Sequence, residues 1–499
     1  MLLTFSMAAA VAAPVAADAQ ESARGVVYTS APLPQGHWAV QAARRAEALG
    51  LVSDFLPAQR SVPRLVVGAV LRDAALEASS TAPGLTGLTE GWLARFVEEF
   101  PESQQSAVPA APPPFAGGSA AGVQYGRHQG RAAPGEGEYP PDRTGALPLA
   151  DAAGITVGAS LSLLPRSWLA VAAAAELSDA RLSIPSGDLV LGWRKLGFSV
   201  GRQPVGYGYA EGGGVVLAGN VALDRVQVET TQPLELPGWL RYLGPTAFNT
   251  FFTRFYEERH VGEPFFWGAS LSVQPHSRFT VSIHRASTIG GGLAPEPISA
   301  RSLLLTFVGK HTGHLADQVV SAEFRYRLPT ESVLPITVYG EWGSEDSAGS
   351  FYKVPGIMSG VFVPALPVVP EVSVGFEYSQ FGTSCCGNPP WYRHVAHPGT
   401  WVLRDRPLAH PAGGDGSEVL VYGRWDALSS RLQLDGRAFR RDRGDENLFS
   451  PERHGTSSGF AASAGWRIRP RAELFTNAFR EEGTGWVEQQ MRVSTRILF

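Results

Sequence analysis

The sequence predicts an all-β fold: a transmembrane antiparallel β-barrel of about 18 strands, preceded by a small N-terminal α-helical bundle. Three observations predict this fold class: an apolar leader, a long series of segments that alternate apolar and polar residues, and a last segment of the same kind that ends on Phe499. The composition agrees, because the 499 residues include 56 Gly and 38 Pro, which favour turns over long helices. A net charge of −4 gives no support to nucleic-acid binding.

Residues 1–19 have the composition of a secretory signal peptide, since they are rich in Ala, Val and Leu and carry no basic residue. The small-x-small pattern that ends at Ala19 is typical of a signal-peptidase site and makes Gln20 the first mature residue. The usual basic n-region is missing, because no Lys or Arg precedes Arg24, so a disordered Ala-rich tail is the alternative interpretation. We expect the chain to be exported through the periplasm to the cell outer membrane.

Residues 20–100 are predicted to form the periplasmic helical bundle. Small and apolar residues recur at helical spacing from Trp38 to Ala46, which indicates a first helix with one apolar face. A second helix is predicted to follow Pro63, and Thr89 is a candidate N-terminal cap for a third. Three short helices of this composition favour a small bundle over an enzyme core.

Residues 101–119 are predicted to be a Pro-rich linker, and residues 120–499 an outer-membrane β-barrel. From about residue 120 the apolar period changes from 3.6 to 2. Along residues 320–328, Val, Ala, Phe, Tyr and Leu share one face, whereas Ser, Glu and two Arg share the other. A soluble sandwich also alternates, but about 18 such segments fit the even strand numbers of bacterial membrane barrels. We find no fixed repeat of the kind that indicates a propeller.

The last strand is the clearest single example of this alternation. Met491, Val493 and Ile497 share a face with the terminal Phe499, and polar residues lie between them. An amphipathic closing strand with a terminal aromatic residue resembles the signal that the barrel insertion machinery reads, so that machinery and outer-membrane lipid are predicted partners. Five tryptophans are candidates for the aromatic girdles at the membrane interfaces: Trp168, Trp193, Trp342, Trp425 and Trp466.

Several passages in the middle and late parts of the chain carry a family resemblance. They are Gly201-Arg202-Gln203, Leu243-Gly244-Pro245, Phe251-Phe252, Trp267-Gly268, His284-Arg285 and residues 401–411. In this order they resemble the capsule assembly protein Wzi family, which has a similar strand–Leu-Gly-Pro–strand passage and a late Gly-Arg-Pro-Leu-Gly-His-Pro loop. Asp405 and Ala409 stand where we expect glycines, so the loop geometry is expected to differ.

The resemblance extends over most of the chain and implies both a fold and a function. The implied fold is an outer-membrane barrel of about 18 strands with its helical bundle at the periplasmic side. The implied function is binding and anchoring of capsular or other surface polysaccharide at the cell exterior, in aid of capsule assembly, by a lectin and not an enzyme. The implied partner is capsular or extracellular polysaccharide. We expect a monomer without a cofactor.

The candidate polysaccharide-binding residues lie in the long segment 384–416. Sugar recognition needs flat aromatic faces for C–H groups, and Arg, Asp or His for hydroxyl groups or uronate carboxylates. The candidates are Trp391, Tyr392, Arg393, His394, Trp401, Arg404, Arg406, His410 and Asp415. A loop of this length is usually functional or disordered. Two interpretations stay open: these residues contact sugar directly, or they fold the loop over the barrel mouth.

The sequence gives little support to catalysis or to a metal site. Residues 455–459 match G-x-S-x-G, but they lead into an apparent β-strand and not into the helix that a nucleophile elbow requires. The adjacent Cys385 and Cys386 form either a vicinal disulfide or two free thiols. We therefore predict no catalytic residue, no cofactor-binding residue and no metal ligand.

The alternative function is an outer-membrane porin or diffusion channel with a cell-wall-associated N-terminal module. Residues 37–39 and the following Leu-Gly-Leu passage also resemble a surface-layer-homology module, although its other motifs are not clear here. Arginines on the inward faces of the strands leave two interpretations open. They attract anionic polymers, or they pair inside the lumen with carboxylates such as Glu323, Glu341 and Asp435.

Overall fold

A single closed barrel of 18 antiparallel strands dominates the computed structural model, which confirms the predicted fold class. The structure describes residues 29–33, 36–57, 60–100, 116–129, 153–178, 181–256, 262–291, 299, 301, 316–331, 333–345, 355–382, 391–392, 401–403, 406–449 and 453–499. The predicted signal peptide lies outside the described residues. Among the helices of the described segments, none is long and apolar enough to cross a membrane.

The strands follow one another around the wall in chain order. They are β1 (Ala116–Gln129), β2 (Ala153–Arg166), β3 (Leu169–Ser178), β4 (Arg181–Trp193), β5 (Leu196–Gly206), β6 (Ala218–Thr230), β7 (Thr246–Arg254), β8 (Phe265–His276), β9 (Phe279–Ile289), β10 (Ala316–Arg327), β11 (Thr337–Glu345), β12 (Gly356–Val363), β13 (Val372–Phe381), β14 (Gly416–Asp426), β15 (Leu432–Arg443), β16 (Gly455–Arg469), β17 (Ala472–Gly483) and β18 (Trp486–Leu498). β1 begins inside the predicted linker, because Ala116 already pairs with Leu164 of β2.

Before the barrel come the helices α1 (Trp38–Ala48), α2 (Arg64–Thr81) and α3 (Thr86–Glu99). Shorter elements are the strand pair Pro32–Leu33 and Val62–Pro63, the strand pair Val402–Leu403 and Arg406–Pro407, the single 3-10 turn Pro83–Leu85, the six-residue 3-10 helix Gly238–Leu243 and the four-residue turn Ala427–Ser430. The prediction that Thr89 caps the third helix is wrong. The turn that ends at Leu85 leads directly into α3, and the Thr89 hydroxyl donates to the Leu85 carbonyl at 3.1 Å from within the helix.

The barrel wall is polar inside and apolar outside, the reverse of a soluble protein. On β10, Glu323 is 7% exposed and lies in the lumen, whereas the neighbouring Phe324 is 45% exposed and faces outward. Ile155, Val200 and Ile283 are likewise exposed on the outer surface. Lipid is the solvent that suits such an exterior, and closure gives every strand edge a hydrogen-bonding partner. The protein is therefore an outer-membrane barrel, as predicted.

The last strand closes the barrel by pairing antiparallel with β1, so that Leu498 lies opposite Ala120. Met491 and Ile497 face outward, and Arg492 is buried in the lumen. The alternation that the sequence predicts for this strand is confirmed.

The two ends of the barrel differ in the length of their connections. At the end that holds the helices, Ser167 and Trp168 alone join β2 to β3. At the opposite end, residues 130–152 join β1 to β2, and residues 382–415 join β13 to β14. Outer-membrane barrels have short periplasmic turns and long extracellular loops, so we assign the helical end to the periplasm.

Candidate functional site in the barrel lumen

Residues 207–217, which join β5 to β6 at the extracellular end, turn into the lumen; we call this segment the plug. Its backbone is held by carboxylates of the facing wall. Glu323 of β10 accepts a hydrogen bond from the Tyr209 N–H at 2.7 Å, and Glu341 of β11 accepts one from the Val215 N–H at 3.0 Å. These bonds satisfy buried backbone donors and buried carboxylates together, which would each be costly if left unpaired.

A third glutamate, Glu377 of β13, holds the tip of the plug. Its two carboxylate oxygens accept the N–H groups of Glu211 at 2.6 Å and Gly212 at 2.8 Å. The turn itself depends on glycine, because a Cβ atom on Gly214 would lie 2.1 Å from the Tyr207 carbonyl oxygen. The Gly/Tyr-rich composition of this stretch therefore reflects how closely its backbone folds on itself.

Arg60, which precedes α2 in the periplasmic segment, binds the plug from the other side. Its guanidinium donates to four backbone carbonyl oxygens: Tyr207 at 3.0 Å, Gly208 at 3.1 Å, Ala210 at 2.7 Å and Ala218 at 3.2 Å. Burial, and then the neighbouring Arg44, lower the pKa of Arg60 to about 10, so the group stays charged at neutral pH. The periplasmic segment and the extracellular plug are thus joined inside the lumen by one side chain.

Ion pairs attach the helices to the periplasmic half of the wall. They are Arg45 with Asp426, Glu47 with Arg325 (3.1 Å), Arg95 with Glu473 (3.4 Å), Glu98 with Arg467 (3.3 Å) and Glu99 with Arg496 (3.0 Å). Burial lowers the pKa of Arg45 to about 10 against the opposing pull of Asp426. For Arg325, Arg467 and Arg496 the interpretation that luminal arginines pair with carboxylates is the one that holds.

The predicted binding residues Trp391, Tyr392 and Trp401 lie in the buried core of the barrel mouth, and Trp391 is only 1% exposed. The Tyr392 hydroxyl donates to the Val215 carbonyl of the plug at 2.6 Å. The Trp401 indole N–H donates to Asp317 of β10 at 2.9 Å. These side chains hold the long loop down onto the plug, and as described their rings offer no open face to a sugar.

His410 is also fully buried, and its ring is locked by two neighbours. Its Nδ1 accepts the Ala412 N–H at 3.0 Å, so Nε2 carries the proton and faces the Ser379 hydroxyl at 3.2 Å. Burial lowers the pKa of His410 to about 4, and the ring is therefore neutral at physiological pH. Asp415 shapes the neighbouring loop by accepting the Glu446 N–H at 3.0 Å.

The remaining candidates are described less fully. Arg406 lies on the short strand that pairs with Val402–Leu403, and nothing is described of its side chain. Arg393, His394 and Arg404 lie outside the described residues, as do Cys385 and Cys386. Direct sugar contact by this loop therefore stays a prediction, and the described part of the loop covers the mouth.

Sequence reasoning missed the polar residues that build the closed lumen. Glu323 and Glu341 were expected to pair with arginines, and their bonds to the plug backbone were not foreseen. Glu377 and Arg60 were not singled out at all. The sequence did contain a signal for them. Inward-facing glutamates on nearby strands accompany a Gly-rich loop, whose backbone N–H groups need acceptors.

The G-x-S-x-G passage begins β16 and has no strand–turn–helix geometry. The Ser457 hydroxyl donates to Glu481 at 2.8 Å, and Glu481 also accepts from Arg441 and Arg443 at 2.9 and 2.8 Å. The hydroxyl is therefore part of a buried charge network. Within the described segments, His, Cys, Asp and Glu side chains form no group of three or more that could hold a metal ion.

Comparisons with known proteins agree with this architecture. The family model for "Capsule assembly protein Wzi" matches residues 114–489. The solved structure of Wzi from Escherichia coli, described as an outer membrane protein involved in group 1 capsule assembly and a carbohydrate-binding β-barrel, has a TM-score of 0.70 at 15% identity, over 94% of this chain and 99% of that chain. Pseudomonas aeruginosa OpdL and OprD have TM-scores of 0.45 and 0.44 at 10% identity, over 77% and 78% of this chain and 98% and 96% of theirs. A search of curated protein sequences finds no match.

Proposed function

Because this chain belongs to the capsule assembly protein Wzi family, we propose that it binds and anchors capsular or other surface polysaccharide at the cell exterior and thereby aids capsule assembly. One observation carries the proposal: the helices enter the lumen from one end and the plug from the other, and buried hydrogen bonds and ion pairs hold both in place. A barrel closed in this way is suited to present a rigid outer surface. We assign it no catalytic role.

The surface we propose for polysaccharide is the loop of residues 382–415. Its buried members, including Trp391 and Trp401, fix the loop on the barrel mouth, as a binding site on a loop requires. Its remaining basic residues then supply hydrogen bonds and charge to sugar hydroxyl groups and uronate carboxylates. We propose this role for Arg393, His394, Arg404 and Arg406.

The test is binding of the purified, detergent-folded protein to a panel of surface polysaccharides. We expect saturable binding by the wild type and a large loss in the triple variant Arg393→Ala/Arg404→Ala/Arg406→Ala. The control replaces two exposed arginines at the periplasmic end, Arg469 at the end of β16 and Arg471 in the turn that follows it, and it should bind as the wild type does. Binding by the triple variant at the level of the control and the wild type would exclude these loop arginines from the site.

A diffusion channel is the second candidate function, and one observation favours it. An open cavity remains beside α1 and the plug, and the charged residues Arg44, Glu211, Arg424 and Arg437 are among those that line it. Bilayer conductance on the same sample separates the two candidates. Steady open conductance without glycan binding would replace the anchoring proposal by the channel.

Two further proposals concern one partner and the oligomeric state. We propose that the barrel insertion machinery recognises the outward-facing residues of β18, among them Met491 and Ile497. We also propose that the folded barrel is a monomer. Size-exclusion chromatography with light scattering tests the second point, and insertion of a Phe499→Ala variant into outer membranes tests the first.

A further inference from the structure

The longest periplasmic turn, residues 231–245 between β6 and β7, is a built structure. Leu234 and Thr246 exchange two backbone hydrogen bonds, at 2.7 and 2.9 Å, which close its base. The short 3-10 helix Gly238–Leu243 forms its tip. None of these contacts involves the plug or the helices, so the ordered structure of this turn does not serve to hold them in the lumen.

The Leu-Gly-Pro passage fixes the turn against the end of β8. Gly244 has φ +70°, and a Cβ atom there would lie 2.0 Å from the Gln274 carbonyl oxygen. The next residue, Pro245, accepts the Gln274 N–H at 2.9 Å. Because the backbone is fixed in this way, the fold itself holds the side chains at the tip in exposed positions.

The displayed side chains are two aromatic residues and a cation. Trp239 is 76% exposed and Tyr242 is 72% exposed. The Arg241 guanidinium lies 5.1 Å from the centre of the Tyr242 ring and donates to its hydroxyl at 3.2 Å. Aromatic rings with a polar atom, together with a neighbouring cation, are the side chains that settle at the headgroup level of a membrane.

A second periplasmic turn adds charge beside the first. The Lys195 ammonium donates to the Pro233 carbonyl at 2.9 Å and so joins the β4–β5 turn to residues 231–245. Its neighbour Arg194 lies over the ring of Trp193, which stands at the end of the lipid-facing wall. The two turns thus carry three cations, Arg194, Lys195 and Arg241, against one exposed carboxylate, Glu235. The excess of positive charge is continuous with the apolar exterior of the barrel.

We propose that these two turns form an anchor for the periplasmic leaflet, in which Trp239 and Tyr242 enter the headgroup region and the three cations bind phospholipid phosphates. Two observations point to lipid and not to a protein: the positive charge complements phosphodiesters, and the patch continues the lipid-facing surface. The inference goes beyond polysaccharide anchoring, because it concerns the opposite end of the barrel.

Fluorescence quenching by brominated phosphatidylcholine tests the anchor in the full-length barrel. Trp239→Phe is compared with the wild type in vesicles with bromine either near the headgroup or deep in the acyl chain. We expect the emission lost in the variant to be blue-shifted and quenched most by the shallow bromine. Trp342 faces outward from the middle of β11 and not from its end, so its predicted place in an interfacial girdle is corrected, and it serves as the deep control through Trp342→Phe.

A red-shifted Trp239 emission that neither lipid quenches would overturn the anchor and favour a protein partner or water at this turn. Quenching mainly by the deep bromine would also overturn it, because the turn would then lie below the headgroup region. If Trp239→Phe does not fold, Trp239→Tyr gives the same difference spectrum. Leu76→Ser, at an exposed position of α2, controls for the general loss of an exposed apolar side chain.

Discussion

The two ends of the barrel are closed by different interactions. At the periplasmic end, side-chain charges of the helices pair with charges of the wall, as Arg45 does with Asp426. At the extracellular end, wall glutamates bind the backbone of the plug, and buried rings such as Trp401 cover it. The difference shows that a polar lumen wall can hold helices through their side chains or a loop through its backbone. Carboxylates accept hydrogen bonds from guanidinium groups and from backbone N–H groups alike. Arg60 joins the two ends, so its loss should affect both, whereas the loss of Trp401 or of Asp426 should affect one end only.

Replacement of Trp401 by Ala should damage the extracellular end most. Its ring is fully buried, and the cavity left behind should cost about 3–5 kcal/mol in the free energy of unfolding. Hydrogen exchange should rise across residues 207–217 and stay low in the helices. Trp425→Ala, at a position 45% exposed to lipid, is the matched control and should cost much less. Equal losses would contradict the buried role of Trp401.

Asp426→Asn should damage the periplasmic end by leaving the buried Arg45 without its counter-charge. We expect a loss of about 4 kcal/mol in unfolding free energy and raised hydrogen exchange in α1. The double variant Arg45→Met/Asp426→Leu should recover part of the loss. It leaves no charge unpaired, but it removes the acceptor of the Trp92 indole N–H at 3.3 Å and of the Gln433 amide at 2.7 Å. A double variant as unstable as Asp426→Asn would show that the pair has a further role.

Acid should loosen the extracellular end through His410. Burial lowers its pKa to about 4 from an ordinary value of 6.5, so only the unfolded chain takes up this proton between those two pH values. Stability should therefore fall as the pH drops through this window, by about 3 kcal/mol in total. His410→Gln should remove this part of the pH dependence in unfolding curves. An unchanged curve would assign the acid sensitivity to other groups.

Arg60→Gln should affect both ends, with a smaller loss of stability, about 1–2 kcal/mol, because the amide can keep part of the hydrogen bonding. We expect this variant to show a higher bilayer conductance than the wild type and faster hydrogen exchange in the plug. Arg72→Gln, on α2 and at a position less buried than Arg60, is the control and should leave conductance unchanged. If the conductance of Arg60→Gln stays as low as that of the wild type, the glutamates alone are sufficient to hold the plug.

The sequence predicted the wall far better than the contents of the lumen. Alternation along residues 320–328 is enough to place Glu323 inside and Phe324 outside, because a strand has only two faces. It cannot tell what Glu323 binds, since the plug comes from residues that are distant in the chain. Trp391 and Trp401 show the same limit: a ring suited to stack on sugar is equally suited to a buried core.

The most direct test of the central claim measures polysaccharide binding and bilayer conductance on one sample of the wild-type protein. We predict saturable binding with negligible conductance, because the plug and the helices close the lumen while the outer loop binds. Steady conductance without binding would contradict the claim and identify the barrel as a channel.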